Sequence, residues 1–228
     1  MKLLAIDTST MFGGVALLND DVLLAESRLN VMVTHSERLL TEINHIITKT
    51  GLEINDIDVF AVAIGPGSFT GLRVGLSTVK GLIYPAKKEL VTVPTLEAFA
   101  WNLPFSPYQV CPILDARKKE VYSALFKWSG DKFIKTLKEQ TFRIETLIEN
   151  ITEPTIFLGE GALLYKDKIT NKLSDQALFA PSHLMSPLPS NVAYLGRLKA
   201  LQGNFDDPIK ATPMYLRRSE AELKKGVQ

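Results

Sequence analysis

The chain has 228 residues, 46% of them hydrophobic, enough to bury the core of one large domain or of two small lobes. Its 26 basic residues stand against 25 acidic ones, which excludes a whole-molecule electrostatic footprint for nucleic acid. The lone Cys111 excludes an internal disulfide and suits a reducing compartment.

Leu3-Leu4-Ala5-Ile6, between Lys2 and Asp7, is too short for the apolar region of a signal peptide. No run approaches a membrane span, so a cytoplasmic location without membrane attachment is expected. Residues 2–7 read as a buried strand followed by polar Asp7-Thr8-Ser9-Thr10. Gly13 to Leu18 reads as a second strand, and Asn19-Asp20-Asp21 turns into a third near Val22 to Leu29. Thr34 and Glu37 have the spacing of a capping box and Gly51 is placed to end the helix they start. Leu39, Leu40, Ile43, Ile46 and Ile47 form its apolar stripe.

Val59 to Ile64 is a strand that runs into Gly65-Pro66-Gly67-Ser68-Phe69-Thr70-Gly71-Leu72-Arg73 and a second helix, expected to stop before Pro85. A strand that ends in glycines and enters a helix is where α/β proteins place ligands. The loop nevertheless fails the phosphate and nucleophile templates. Leu72 stands where a Walker lysine belongs, Thr70 occupies the last glycine position of a dinucleotide fingerprint, and one residue too many follows Ser68 for a nucleophile elbow. The simpler reading is a turn whose glycines supply positive φ and whose Ser68 or Thr70 caps the helix.

Pro104, Ser106 and Pro107 punctuate a boundary between a lobe of residues 1–104 and a second of 105–228. Val110 to Leu114 then repeats the first strand, ends in Asp115 and buries Cys111. Glu120 to Phe126 and Phe133 to Leu137 supply two more strands, and residues 142–150 a helix. Thr155 to Leu158 enters Gly159-Glu160-Gly161 and another helical segment, echoing the first half. A helix near 191–202 and a charged tail close the chain. Arg117-Lys118-Lys119, Arg217-Arg218 and Lys224-Lys225 read as solvated surface.

Leu4-Ala5-Ile6-Asp7-Thr8-Ser9-Thr10, the Thr34-His35-Ser36 helix start, the Gly65 to Arg73 loop, Asp115-Ala116-Arg117-Lys118-Lys119-Glu120-Val121-Tyr122 and Pro213-Met214-Tyr215-Leu216-Arg217 resemble the TsaB (YeaZ) family. Its members are required for threonylcarbamoyladenosine in bacterial tRNA. The motifs come in the family's order and span essentially the whole chain. The resemblance implies an α/β, actin-like ATPase (ASKHA, ribonuclease-H-like) fold of two similar lobes, with the final helix and tail packing back on the first. It also implies a non-catalytic subunit that binds TsaD, the threonylcarbamoyl transferase, and TsaE, an ATPase. Such a subunit forms a homodimer when alone and meets tRNA only through the complex. No cofactor of its own is expected, ATP being held, if at all, by partner subunits or at an interface.

The residues agree with an absence of chemistry. The catalytic relative carries His-x-x-x-His for metal; here Leu39 follows His35 by four residues and His45 lies off its face, so no metal is expected. Asp7, Thr8, Ser9 and Thr10 form at most a degenerate nucleotide site, the alternative being a cap or turn. On the second helix Leu72, Leu76, Val79 and Ile83 make an apolar stripe, while the opposite side carries the small, uncharged Val74, Ser77, Thr78 and Gly81. Either the first helix of the same chain covers that side or a partner helix does. The resemblance favours a partner, with His35, Ser36, Leu39, Gly71, Arg73, Val74, Ser77, Thr78 and Gly81 at the contact. The competing readings are a hydrolase using Ser68, a weak ATPase using the cleft near Asp7, and RNA binding through the basic tail alone.

Overall fold

Strict alternation along Leu3-Leu4-Ala5-Ile6 sends Leu4 and Ile6 to one face of a sheet and Leu3 and Ala5 to the other. The computed structural model describes residues 1–30 and 35–217. In it β1 (Lys2–Asp7), β2 (Phe12–Asn19), β3 (Val22–Asn30), β4 (Val59–Ala63) and β5 (Glu89–Val93) stand in the order β3-β2-β1-β4-β5. The hairpin strands are antiparallel, while β1, β4 and β5 run parallel. α1 (His35–Lys49) and α2 (Phe69–Ala86) cover the Leu4–Ile6 face through Leu39, Ile43, Ile46, Leu76, Val79 and Ile83.

Gly51, at φ +69°, ends α1 as expected, its N–H donating to the Thr48 carbonyl. The capping box falls outside the described residues because Thr34 does. Leu40 leaves the stripe and is 54% exposed. α2 also runs through Pro85 rather than stopping before it. In the last turn the missing N–H removes only the bond to the Gly81 carbonyl, and Lys87 then closes the helix in the left-handed region.

α3 (Thr95–Ala100), a short helix buried except at the half-buried Glu97, leads to the second sheet. There β6 (Gln109–Arg117), β7 (Glu120–Ser129), β8 (Lys132–Arg143), β9 (Thr155–Leu158) and β10 (Ala177–Phe179) have the order β8-β7-β6-β9-β10. Strand for strand this is the order and sense of the first sheet. α4 (Ile144–Glu149), α5 (Glu160–Leu164) and α6 (Lys166–Leu173) cover its Cys111–Ile113 face; α3 covers the other with Leu96 and Phe99. Burial pushes the Cys111 thiol up to about 12, against a hydrogen bond with Ser123.

α7 (Pro189–Leu201) returns to the first sheet and packs on its Leu3–Ala5 face. Small residues permit the approach: a Cβ on Gly196 would come within 2.6 Å of that of Ala61. Beyond α7 the Asp206 N–H donates to Leu90, its carboxylate accepts from Thr92, and the Met214 N–H donates to Ile64 at 2.7 Å. Among the described residues no helix is long and apolar enough to cross a membrane.

Candidate functional site

The glycine loop is built to seat α2 against the turn that follows β1. A Cβ at Gly67 would collide with the Ser9 carbonyl, one at Gly71 with the Thr8 carbonyl, and one at Gly75 with the Thr8 hydroxyl. The Thr8 hydroxyl donates to the Gly71 carbonyl at 2.7 Å and the Ser68 N–H to the Ser9 carbonyl at 2.7 Å. Ser68 Oγ caps α2 by accepting from the Gly71 N–H at 3.2 Å. Gly71, expected at the partner contact, is buried against the Thr8 carbonyl within its own chain. Gly75, which escaped the sequence pattern, completes the close approach.

Asp7 is buried at the end of β1. Its Oδ1 accepts both the Ser9 N–H, at 2.8 Å, and the Ser9 hydroxyl, at 2.6 Å, and its Oδ2 has no hydrogen-bond partner among the described residues. Burial raises its pKa above the usual carboxylate range, outweighing the two bonds from Ser9. Thr10 turns its hydroxyl to the backbone of Phe12, accepting from the Phe12 N–H at 3.2 Å.

The outer side of α2 is open. Among the described residues nothing lies within 4 Å of a Cβ at Gly81, so no described part of α1 covers that position. Ser77 is exposed and its hydroxyl bonds only to the Val74 carbonyl among the described residues. Tyr84 is 82% exposed. Val74 and Thr78 are half-buried, and Val74 packs on the core. Leu39, expected at the contact, is 4% exposed and lies inside that core. His35 and Ser36 open α1, and their side chains fall outside the described residues.

Between the lobes lies a cleft of about 610 Å³ lined by Ser9, Ser68, Phe69, Asp115, Glu160 and Arg217, among others. Residues 213–217 strap across it. Tyr215 stacks on Phe69 with ring centroids 4.7 Å apart, and its hydroxyl accepts from Arg73 Nε at 2.8 Å. Arg217 reaches the second lobe, donating to the Ala116 carbonyl at 3.2 Å and pairing with Glu120 at 3.3 Å. Arg73, exposed on α2 one turn before Ser77, leans toward the strap and also lines the cleft. Burial, with the charge of Asp115 as a lesser cause, raises the pKa of Glu160. Among the described residues no histidine lines the cleft, and Ser68 Oγ is occupied as a cap.

A family model described as "TsaD: tRNA N6-adenosine threonylcarbamoyltransferase" matches residues 30–225. The tRNA threonylcarbamoyladenosine biosynthesis protein TsaB of Bacillus subtilis (strain 168) is 31% identical, over 98% of this chain and 97% of its own. The chain belongs to the TsaB/YeaZ family. YeaZ from Pseudomonas aeruginosa has the same fold, with a TM-score of 0.80 at 24% identity over 94% of this chain and 99% of that one. The two lobes are those of the actin-like ATPases. One more distant neighbour, the activator of 2-hydroxyisocaproyl-CoA dehydratase from Clostridium difficile, was solved with bound ADPNP. Its TM-score is 0.50 at 9% identity, over 94% of this chain and all of that one.

At the β1 turn two backbone N–H groups are already engaged within the chain. Phosphate loops present free backbone N–H groups to the anion. Here the Ser9 and Ser68 N–H groups already donate to Asp7 and to the Ser9 carbonyl, and α2 fills the space beside Thr8. The Arg117-Lys118-Lys119 segment, read from the sequence as solvated surface, is a left-handed turn between β6 and β7. All three residues have positive φ, of 63°, 53° and 64°. Such a conformation costs a residue with a side chain about 1–3 kcal/mol.

Proposed function

We propose that this chain is a non-catalytic assembly subunit of the complex that makes threonylcarbamoyladenosine next to the anticodon of tRNA, where it binds and supports TsaD. The kinship with TsaB proteins over nearly the whole length of both chains supports the process. The observation that carries the mode of action is the outer face of α2. A helix that only covers a sheet puts long charged side chains outward. Here Ser77, the uncovered Gly81 and the exposed Tyr84 face out, and Lys80 turns its ammonium back to the Ala211 carbonyl at 2.8 Å. Such a surface suits close approach by a partner helix. Leu40 on α1 adds an exposed apolar side chain.

In this reading TsaD is the principal occupant of that face, a second copy replaces it when the chain is alone, and TsaE joins the assembled pair. The complex works in the cytoplasm, and the chain neither carries a nucleotide nor turns one over. Against hydrolysis through Ser68, no histidine lines the cleft among the described residues, and its Oγ is engaged as the cap of α2. Co-expression with the TsaD of the same organism tests the contact directly. A stable heteromer on size-exclusion chromatography is expected; a chain that elutes alone at micromolar concentration overturns the reading.

A further inference from the structure

The charge of this chain is balanced overall but not locally. On the second lobe the β6–β7 turn, the end of β8 with the start of α4, and the start of α6 enclose a shallow pocket of about 480 Å³. Among the described residues, Lys118, Lys119, Arg143 and Lys168 line it with one carboxylate, Glu145, which pairs with Lys168 at 2.6 Å. Like charges brought together in one hollow repel one another, so such a cluster is unfavourable for the free protein. The turn adds backbone strain: Lys118 and Lys119 hold left-handed conformations that glycine or asparagine would adopt more readily. Turn geometry by itself therefore gives no reason for lysines at these two positions.

We propose that this pocket holds backbone phosphates of the tRNA on which the complex acts. The inference rests on the function proposed above, which brings tRNA to the assembly. Lys119 and Lys168 are exposed, so their ammonium groups can meet an anion without a large desolvation cost. The Lys168 ammonium lies 5.7 Å from the centroid of the Tyr165 ring, the one aromatic ring in the lining, and so occupies a face on which a base could stack. The lining offers charge without a stacking platform. That combination contacts the nucleic-acid backbone, fixing its position without reading its sequence. It also separates this pocket from the interlobe cleft, to which the same turn contributes Arg117, paired with Asp115 at 3.2 Å.

The test is a titration of labelled, unmodified tRNA transcript with the assembled chain–TsaD complex over a range of salt. The variants are Lys119→Ala, Lys119→Gly and the double variant Lys119→Ala/Arg143→Ala. Each phosphate contact contributes about 0.9 to the slope of log affinity against log salt, which is roughly eight-fold in affinity near 0.1 M salt. Lys119→Ala and Lys119→Gly are expected to weaken binding by about that factor, and the double variant by up to about the square of it. The slope should become shallower by about 0.9 for each contact removed. Lys119→Gly relieves the left-handed strain, so its melting temperature should hold or rise while its RNA affinity falls. A merely structural turn would move melting and leave the salt slope alone.

Wild-type affinity and slope in the double variant overturn the proposal, as does a wild-type protein that binds no RNA in either form. The same variants are compared on the isolated chain at about 0.05 M salt, where phosphate contacts are stronger. If no complex with TsaD forms, the assembly reading fails, yet the titration of the isolated chain still decides the pocket. If the complex forms and modifies tRNA while the variants bind as wild type, only the pocket proposal falls.

Discussion

Gly81→Arg separates a face that awaits a partner from one that packs within the chain. In the structure a Cβ at Gly81 meets no atom of the described residues within 4 Å, so a side chain can leave the helix there without a clash at its first carbon. Replacing an exposed helical glycine by arginine should stabilise the monomer by about 0.7–0.9 kcal/mol, because glycine is the poorest ordinary helix former. At about 2–4 °C per kcal/mol for a chain of this size, melting of the dilute monomer should rise by roughly 2–3 °C. At a close helix–helix contact the same side chain forces the helices apart, at about 2–4 kcal/mol. That is roughly 30- to 1,000-fold in affinity for TsaD and for a second copy. The assay pairs thermal melting with sedimentation and TsaD binding at one fixed protein concentration, since association itself raises melting. A variant that melts lower as a dilute monomer, or binds both partners as the wild type does, refutes the reasoning.

Two further substitutions probe the β1 turn and the glycine loop. Asp7 binds its proton more tightly folded than unfolded, so its stabilising contribution is complete below the ordinary carboxylate range and is lost as pH rises through the raised folded value. Asp7→Asn keeps an acceptor for Ser9 and cannot ionise. Its urea midpoint should therefore gain on that of the wild type as pH rises from about 4, and a difference that stays constant up to neutral pH contradicts the buried, unpartnered carboxylate. Ser68→Ala removes the cap on α2 and should cost about 1 kcal/mol, lowering melting by roughly 2–4 °C, while ester, peptide and ATP turnover stay at the wild-type level. Robust wild-type turnover abolished by this substitution would show Ser68 to be a nucleophile.

Much of the fold was legible because its strands alternate and its turns carry their own signatures. β1, β2, β3 and the Gly51 stop all follow from local patterns, and the repeat of the first half in the second foreshadows the matching strand orders. β5 and α3 went unread. Glu89–Val93 is only five residues long, though Val91-Thr92-Val93 carried a β-branched signal, and Thr95–Ala100 is short and buried everywhere but at Glu97, which leaves little helical periodicity to read. Side chains at the candidate site were harder to place. Gly71 and Gly81 look alike in sequence, but one meets the Thr8 carbonyl and the other open space, a difference set by where α2 crosses the β1 turn. Arg73 lies near the open face by spacing and is drawn to Tyr215, which is 142 residues away along the chain. The left-handed run at residues 117–119 has no signature, since arginine and lysine ordinarily avoid that conformation.

The central claim is that TsaD needs this chain to modify tRNA. The most direct measurement is formation of threonylcarbamoyladenosine on a tRNA transcript by the other purified components of the same organism, with this chain present, absent, or replaced by Gly81→Arg. The account predicts modification with the wild-type chain, little or none without it, and a deficit for Gly81→Arg that a higher concentration of the variant repairs. Modification at the full rate in the absence of the chain would contradict it.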